Sequence, residues 1–424
     1  MIRHLLLASA LLATTAAPAG AAPAGFGTAR VLTVANGFQP AVAMAADGRA
    51  TVLVTDFRPA RSRVLAVTRS PGGRWSAPRA IRSSQHELFE PALAFTGDGT
   101  AVAAWIRARR IDREQVVETR ALEPSGGLGA VATVSELGGR AIFPRVAGGA
   151  GASALVGWFD DRYGLRAARL GTAGGGAGET VVERGQFTYA LAVLPDGTEV
   201  VLTHAFGPGG VQVRTRTPGG GWSAPLVLSG RRTAREPVLA TGTDGTVAIA
   251  WAQNTDAGYR IQLAVQSPGG VFGTARTIDA GGGSGRAPGL AVAPDGTVHV
   301  AWLGDAGLGD LARATQVRTT TATAGAVGPV RRVSAPGRRL QDPPQLVADA
   351  AGDVLLTWTE SHRLMAVTRP AGSRPGPPRA VSPAGLRIEN ARLVGNARGQ
   401  ALAVWAVEPD PREPPVIQSA AATF

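Results

Sequence analysis

The residues best suited to chemistry in this 424-residue sequence are arginines and carboxylates that stand just ahead of short apolar segments. The carboxylates that could act as acid and base are Glu90, Glu236 and Asp342. The arginines that could bind an anionic ligand are Arg140, Arg235, Arg286, Arg339 and Arg387. Guanidinium groups bind carboxylate or sulfate through paired hydrogen bonds, and two nearby carboxyl groups can cleave a glycosidic bond. These residues predict a site for an acidic sugar if they converge, and otherwise a solvated rim of weak ion pairs.

A second candidate is the segment Asp160, Asp161, Arg162 and Tyr163, which follows Trp158. Two adjacent carboxylates could bind calcium or sugar hydroxyls, but calcium sites draw on more oxygen ligands than this segment offers. The alternative interpretation is a plain surface turn. The histidines stand singly and the chain has no cysteine, so the sequence predicts no metal site and no cofactor.

The segments that carry these residues belong to a repeat. Six of the eight tryptophans end near-copies of one phrase, and two further copies keep the phrase without its tryptophan. The copies are DGTAVAAW (98–105), GASALVGW (151–158), DGTVAIAW (244–251), DGTVHVAW (295–302), AGDVLLTW (351–358), RGQALAVW (398–405), DGRATVLV (47–54) and DGTEVVLT (196–203). Their mean spacing of about 50 residues is typical of a radial or solenoidal repeat fold.

Each repeat contains the signals of four strands. A short apolar segment usually follows a proline, as at Pro40, Pro91, Pro237, Pro288 and Pro344, and we place this proline at the first residue of a strand. Asp-Gly then supplies a hairpin turn, a third strand follows a variable loop, and a Pro-Gly turn precedes the fourth strand. The sequence therefore predicts an all-β, eight-bladed β-propeller of four-stranded blades. Seven blades is the alternative if the unit that ends at Trp158 is misassigned.

The two ends of the chain complement each other. The segment Phe26–Arg30 repeats letter for letter as Phe272–Arg276, which lies at the outer strand of its unit. The last unit stops after its third strand, which begins at Val416. We therefore expect the N-terminal strand to complete the last blade, so that the ring has no free sheet edge.

The first 21 residues resemble a secretory signal peptide. They combine Arg3, an apolar run from Leu5 to Ala17 and the small residues Ala19-Gly20-Ala21, and the run is too short to span a membrane. The sequence thus predicts residues 1–21 as a signal peptide and residues 22–424 as one secreted propeller domain, extracellular or periplasmic. It predicts no membrane span, and we expect a monomer.

The charge of the chain is strongly positive. The formal net charge is +12 and every basic side chain is arginine. This charge either serves solubility alone or attracts polyanions such as acidic glycans or cell-envelope polymers. Only 5% of the residues are aromatic and no basic run is interleaved with stacking residues, so nucleic acid is not an expected partner.

Three junctions between third and fourth strands carry a further pattern: SPGGRW (70–75), TPGGGW (217–222) and SPGGVF (267–272). They resemble the Asp-box turn of sialidase-like propellers, in which serine, aspartate, glycine and tryptophan mark this junction, although the aspartate is absent here. The resemblance extends blade by blade over nearly the whole mature chain and implies a propeller fold. In that family, catalysis uses an arginine triad, a tyrosine–glutamate pair and an aspartate. Of Tyr163, Tyr189 and Tyr259, we expect Tyr189 to be structural because it takes the place of the strand-opening proline.

Two functions remain open on the sequence. The leading hypothesis is a non-enzymatic protein that binds a ligand or partner on the loop face around the central channel. The alternative is a sialidase-like glycoside hydrolase or lyase that acts on an acidic glycan, which requires arginines and at least two carboxylates in one pocket. A structural subunit of a surface assembly is a third possibility, which a broad exposed apolar patch would favour.

Overall fold

The computed structural model describes residues 25–34, 39–58, 61–110, 114–171, 174–175, 178–183, 187–205, 210–230, 232–279, 284–304, 316–337, 340, 342–408 and 415–424. The predicted signal peptide and Arg339 lie outside these residues. The described residues form strands, turns and loops, and none of them provides an apolar helix long enough to cross a membrane.

The strands form eight antiparallel sheets. Blades 1 to 4 comprise, in order, β2 (Ala41–Met44), β3 (Ala50–Arg58), β4 (Arg61–Arg69) and β5 (Arg79–Ser84); β6 (Glu87–Phe95), β7 (Ala101–Arg110), β8 (Glu114–Leu122) and β9 (Ala132–Thr133); β10 (Ala141–Gly148), β11 (Ala154–Asp160), β12 (Gly164–Gly171), β13 (Gly174–Gly175) and β14 (Glu179–Val182); and β15 (Phe187–Val193), β16 (Glu199–Ala205), β17 (Gly210–Arg216) and β18 (Leu226–Val227).

Blades 5 to 8 repeat the same order of inner to outer strands. They comprise β19 (Ala234–Thr241), β20 (Val247–Thr255), β21 (Gly258–Gln266) and β22 (Arg276–Thr277); β23 (Gly285–Val292), β24 (Val298–Gly304), β25 (Gln316–Ala322) and β26 (Arg331–Arg332); β27 (Gln345–Ala348), β28 (Val354–Glu360), β29 (Arg363–Arg369) and β30 (Arg379–Ala380); and β31 (Arg387–Gly395), β32 (Gln400–Glu408), β33 (Val416–Thr423) and β1 (Arg30–Val34).

The eight sheets are arranged as a ring. The first strand of each blade contacts the first strands of both neighbouring blades, and contact between β2 and β31 closes the circle around a central channel. The predicted eight-bladed propeller is therefore confirmed. The seven-blade alternative is wrong, because the unit that ends at Trp158 forms blade 3 and carries an additional short strand, β13.

The N-terminal strand closes the ring as expected. Strand β1 pairs antiparallel with β33, with Arg30 opposite Ser419 and Val34 opposite Val416. Ahead of β1, the backbone N–H of Gly27 donates to the carbonyl oxygen of Ala421 at 2.9 Å. The last blade is thus built from both ends of the described chain, and this pairing covers the edge that β33 would otherwise expose.

The repeated tryptophans lie between blades. Trp105 is fully buried and packs with Leu53 and Val64 of blade 1, and the other five occupy the same place against the blade that precedes their own. These five are Trp158, Trp251, Trp302, Trp358 and Trp405. Each indole ring therefore fills the interface between two sheets, which is the role that their regular spacing predicts.

The predicted position of the prolines is wrong in part. Pro40 and Pro344 stand immediately before β2 and β27, but Pro91, Pro237 and Pro288 lie inside their inner strands. Each of these three follows a residue of positive φ at a register shift in the pairing with the second strand. The shift is a β-bulge, where the ladder is interrupted and the missing proline N–H costs no hydrogen bond.

We expect Trp302→Ala to lower the free energy of unfolding by about 3–5 kcal/mol, because it opens a cavity between blades 5 and 6. Urea unfolding followed by circular dichroism measures this change. The matched control is Val271→Ala, whose side chain is 86% exposed and whose loss should cost less than about 0.5 kcal/mol. Equal effects of the two substitutions would contradict the inter-blade role of the tryptophans.

Asp279, which follows β22, should make the stability of the fold depend on pH. Its carboxyl group is buried, and burial raises its pKa to about 6, although a backbone hydrogen bond from Ile261 and the charges of Arg260 and Arg318 oppose the rise. The folded state thus keeps this proton while the unfolded chain, with an ordinary pKa near 4, releases it. Stability is therefore lost as the pH rises from about 4 to about 6.

We expect Asp279→Asn to remove this pH dependence. Between pH 4 and pH 7, the free energy of unfolding of the variant relative to that of the wild type should therefore rise by about 2–3 kcal/mol. Urea unfolding of both proteins across that range measures the difference. A constant difference at every pH would show that Asp279 does not change its protonation on folding.

Candidate functional site

The predicted site residues that the structure describes lie in loops on one face of the ring or in the adjoining parts of strands, and we call this face the loop face. It consists of the connections between blades and the loops between second and third strands. The Nη1 of Arg162, between β11 and β12, donates to the carbonyl oxygen of Leu137 in the connection from blade 2 to blade 3, at 3.2 Å. Arg232 and Asp256 join the same two kinds of loop on blade 5, at 2.6 Å. The two sets of loops therefore lie side by side.

A cavity of about 420 Å³, which we call the channel cavity, opens where the inner strands meet. Blades 1, 2, 3 and 8 line it. Its polar and aromatic lining consists of Gln39, Glu90, Phe143, Arg145 and Arg392, and small apolar residues such as Ala41 and Ala92 complete the wall. These four blades are consecutive in the ring, although blade 8 is far from blades 1 to 3 in the sequence.

A β-bulge in each of two adjacent inner strands shapes the cavity. Glu90 in β6 and Phe143 in β10 adopt φ of 50° and 56°, which is uncommon for any residue but glycine and unusual for a bulky one. The Oε2 of Glu90 accepts a hydrogen bond from the backbone N–H of Phe143 at 2.7 Å. Blade 2 therefore holds the bulge of blade 3 in place.

Tyr189 holds the same bulge from blade 4. Its hydroxyl lies 2.5 Å from the carbonyl oxygen of Phe143 and 2.7 Å from that of Gly157, and it donates its proton to one of them. Burial raises the pKa of Tyr189, so the hydroxyl stays a donor. The expectation that Tyr189 is structural is supported, and its contacts present the half-exposed ring of Phe143 to the cavity.

Arg145 and Arg392 bring two positive charges to the cavity. Both side chains are accessible to solvent, and no ion pair joins either of them to a carboxylate of the described residues. The surrounding protein and the charge of Arg145 lower the pKa of Arg392, while Asp342 opposes this. Because the two guanidinium groups repel each other, an anion between them relieves an unfavourable interaction.

Of the three predicted carboxylates, Glu90 alone lines the channel cavity. Burial raises its pKa, and the N–H of Phe143 and the charges of Arg145 and Arg140 oppose the rise. Glu236 occupies the equivalent bulge of blade 5, where its Oε2 accepts from the N–H of Ala287 in blade 6 at 2.5 Å. Both glutamates therefore position the bulge of the next blade.

The third carboxylate, Asp342, precedes β27 of blade 7 and acts on Arg392 through its charge. The three predicted carboxylates thus belong to blades 2, 5 and 7. Only Glu90 lines the channel cavity, and Asp342 affects it only through its charge on Arg392. The described lining therefore does not contain two carboxyl groups that could flank one bond of a substrate.

The four predicted arginines that the structure describes lie in or just before the first strands of blades 3, 5, 6 and 8. Arg235 stacks over the ring of Tyr259 at 5.2 Å, Arg387 pairs with Glu389 at 3.3 Å, and Arg286 is half-buried in β23. Arg140 is exposed before β10, and its backbone N–H donates to the Oδ1 of Asp161 at 3.1 Å. None of these four is among the residues that line the channel cavity.

The segment 160–163 forms an internally bonded turn. Asp160 is buried and accepts hydrogen bonds from the backbone N–H of Arg162 at 2.9 Å and from its Nε at 3.3 Å. The guanidinium group of Arg162 also lies 4.9 Å from the ring of Tyr163. Asp161 and Tyr163 remain exposed. Among the described residues, no group of three histidine or acidic side chains is placed to hold a metal ion.

Sequence reasoning missed Arg145, Phe143 and Arg392. An alignment of the repeats contains a signal for them: the position after the strand-opening residue holds a small or aliphatic residue in five blades, but arginine in blades 3 and 8. These five residues are Ala41, Ala92, Ala190, Val238 and Gly289. Phe143 likewise stands where blades 2 and 5 have glutamate. The departures from the repeat thus mark the cavity.

Comparison with known proteins shows a shared fold. No protein-family model and no curated protein matches the chain. Among solved structures, the chain is similar to a polysaccharide lyase at 10% identity and a TM-score of 0.50, over 78% of this chain and 89% of the lyase. It is also similar to an α-L-arabinanase of Penicillium chrysogenum (11% identity, TM-score 0.43, 78% and 92% covered) and to an intramolecular trans-sialidase of Ruminococcus gnavus (10%, 0.40, 78% and 91%). Identities this low indicate the fold alone.

We expect Glu90→Ala to lower the free energy of unfolding by about 1 kcal/mol, because the N–H of Phe143 loses its acceptor. Glu90→Gln should cost less, since the amide oxygen can accept the same hydrogen bond. Urea unfolding measures both, and Glu236→Ala serves as the matched substitution at the equivalent bulge. If Glu90→Gln destabilises as much as Glu90→Ala, the bond to Phe143 is not what Glu90 contributes.

Proposed function

We propose that the protein binds an acidic saccharide in the channel cavity without catalysing its cleavage. The observation that carries this proposal is the pair Arg145 and Arg392, which line one cavity and form no ion pair with a described carboxylate. Guanidinium groups in this arrangement suit a carboxylate or sulfate group, which they can bind through paired, charge-assisted hydrogen bonds.

The ring of Phe143 supports a saccharide over a small inorganic anion. Phe143 is 49% exposed at the cavity. Its backbone donates a hydrogen bond to Glu90 and lies within hydrogen-bond distance of the Tyr189 hydroxyl, and these contacts hold it in an unfavourable conformation. Strained residues of this kind occur where surrounding contacts fix a side chain for function. An exposed aromatic ring beside two arginines suits a pyranose, which offers an apolar C–H face and a charged substituent.

Binding is favoured over hydrolysis because the candidate carboxylates have other partners. A glycosidase needs two carboxyl groups about 5 to 9 Å apart on either side of the bond. Glu90 and Glu236 instead bond to the backbone of the next blade. The similarity to a polysaccharide lyase concerns the fold, and it gives a reason to include acidic glycans among the ligands tested.

The proposed location of this function rests on the sequence alone. We propose that the predicted signal peptide directs the chain out of the cytoplasm, so that the ligand is an extracellular or periplasmic glycan. The positive charge of the chain is consistent with attraction to acidic cell-envelope polymers.

Isothermal titration with digalacturonate tests the proposal, and the neutral disaccharide cellobiose is the ligand control. We expect Arg145→Ala and Arg392→Ala each to weaken binding about tenfold to hundredfold, because a hydrogen bond to a charged group contributes about 1.5–3 kcal/mol. Arg235→Ala removes the same charge from the inner strand of blade 5, outside the channel cavity, and should retain wild-type affinity. Equal weakening by all three variants would contradict a site at the channel cavity.

The enzyme alternative has its own measurement. Mass spectrometry after incubation with sialosides and acidic polysaccharides detects any product of cleavage. We expect none. Products that disappear in a Glu90→Gln/Glu236→Gln variant would replace the binding proposal with a hydrolase or lyase.

A further inference from the structure

A row of arginines follows the outer edge of the ring, away from the channel cavity. In every blade, the repeated tryptophan or its replacement lies opposite one residue of the third strand. The next residue of the third strand pairs with one residue of the outermost strand, and this defines the same register position in all eight blades. In blades 5, 6, 7, 8 and 1 this residue is arginine. These five, which we call the rim arginines, are Arg276, Arg331, Arg379, Arg30 and Arg79.

The rim arginines occupy one continuous arc. Blades 5 to 8 and blade 1 are consecutive, because the ring closes between blades 8 and 1. The same register position in the remaining three blades holds Ala132, Glu179 and Leu226. Glu179 forms an ion pair with Arg216, so the outer strand of blade 3 has a paired negative charge at this position instead of a positive one. At this register position, positive charge is therefore confined to one side of the ring.

Two of the rim arginines, Arg79 and Arg276, lie at the boundary with the following blade. The Nη1 of Arg79 donates to the carbonyl oxygen of Gly126 in blade 2 at 2.7 Å. Arg276 lines a groove between blades 5 and 6 together with Val327. Burial lowers the pKa of Arg369 in blade 7, and the charge of Arg331 in blade 6 lowers it further. Arg79 and Arg276 thus lie at the outer boundaries between blades.

The rim arginines keep their positive charge available. Arg30, Arg79 and Arg379 are exposed, and Arg276 and Arg331 are half-buried. No ion pair joins any of the five to a carboxylate within the residues that the structure describes. A fixed series of unneutralised charges attracts anions.

The spacing of one arginine per blade favours a polymer over a small anion. A single exposed charge pair contributes little, so one rim arginine would hold a small anion only weakly. A linear polyanion that runs along the rim contacts several arginines at once, and each contact after the first is intramolecular. The arc therefore suits an extended chain with repeated negative charges.

The aromatic residues near the arc argue for a polysaccharide over a nucleic acid. Phe26, Trp75 and Phe272 stand four positions before Arg30, Arg79 and Arg276, but all three pack against buried clusters within the blades. Binding of single-stranded nucleic acid relies on rings that are free to stack on bases. The described arc offers positive charge without such rings.

We propose that the rim arginines form a binding surface for a linear acidic polysaccharide, separate from the channel cavity. The two surfaces are independent, because none of the rim arginines lines the channel cavity. The rim would hold the polymer by its repeated carboxylate groups, whatever the channel cavity binds.

The test uses the full chain with sodium polygalacturonate, which carries one carboxylate per sugar ring, at salt concentrations from about 50 to 200 mM. Dextran is the neutral control, and a single-stranded oligonucleotide represents the other class of polyanion. Binding is compared for the wild type, for Arg276→Gln/Arg331→Gln/Arg379→Gln, and for Arg109→Gln/Arg235→Gln/Arg387→Gln. The last variant removes equal formal charge from exposed arginines at the ends of β7, β19 and β31 that adjoin the loop face. Unfolding curves check that both variants fold.

We expect the rim variant to bind polygalacturonate at least tenfold more weakly at the lowest salt concentration. Its plot of log affinity against log salt should also be shallower by about two units, since each lost contact accounts for roughly 0.7. The loop-face variant should retain both values. The rim variant should still bind digalacturonate, whereas Arg145→Ala should still bind the polymer, so a failure of either site can be told from a failure of the other.

Three results would overturn the proposal. Equal loss in both triple variants would show that net charge alone drives binding. Absence of binding to polygalacturonate at the lowest salt would exclude the surface. Tighter binding of the oligonucleotide, lost in the rim variant, would assign the arc to nucleic acid instead.

Discussion

The packing of one indole ring against the preceding blade is the interaction on which the remaining structure depends. Each blade is a small sheet with two apolar faces, and it can bury both only by lying between two neighbours. Trp105, Trp158 and their four equivalents fill six of the eight interfaces, and the pairing of β1 with β33 completes the last blade. The chain has no cysteine, so this burial and closure hold the ring without disulfides.

The inner strands surround the central channel, and their bulges determine its shape. Their bulges place Glu90, Phe143, Glu236, Ala287 and Asn390 in a backbone conformation that these residues rarely adopt. Side chains of neighbouring blades offset part of the strain: Glu90 and Tyr189 bond to Phe143, and Glu236 bonds to Ala287. The same bonds that join blades therefore orient the residues that line the cavity, which links the architecture directly to the candidate site.

The functional proposals both rest on departures from the repeat. Where most blades have a small residue after the strand-opening position, blades 3 and 8 have Arg145 and Arg392. On the outer edge, five consecutive blades share an arginine that the other three lack. The repeated residues build the scaffold, because each must satisfy the same inter-blade contacts, whereas positions free of that constraint can vary and carry recognition.

The sequence by itself determined the number of blades, the place of the tryptophans and the closure by the N-terminal strand, because these follow from local strand signals repeated at a regular spacing. It did not reveal the bulges, since Pro91 and Pro237 suit the start of a strand as well as a bulge. Only the tertiary structure decided which charges meet. Arg145 and Arg392 line one cavity because ring closure brings blades 3 and 8 to the same channel, while Glu90, Glu236 and Asp342 belong to different blades. No local pattern encodes that separation, because it depends on the angular position of each blade in the closed ring.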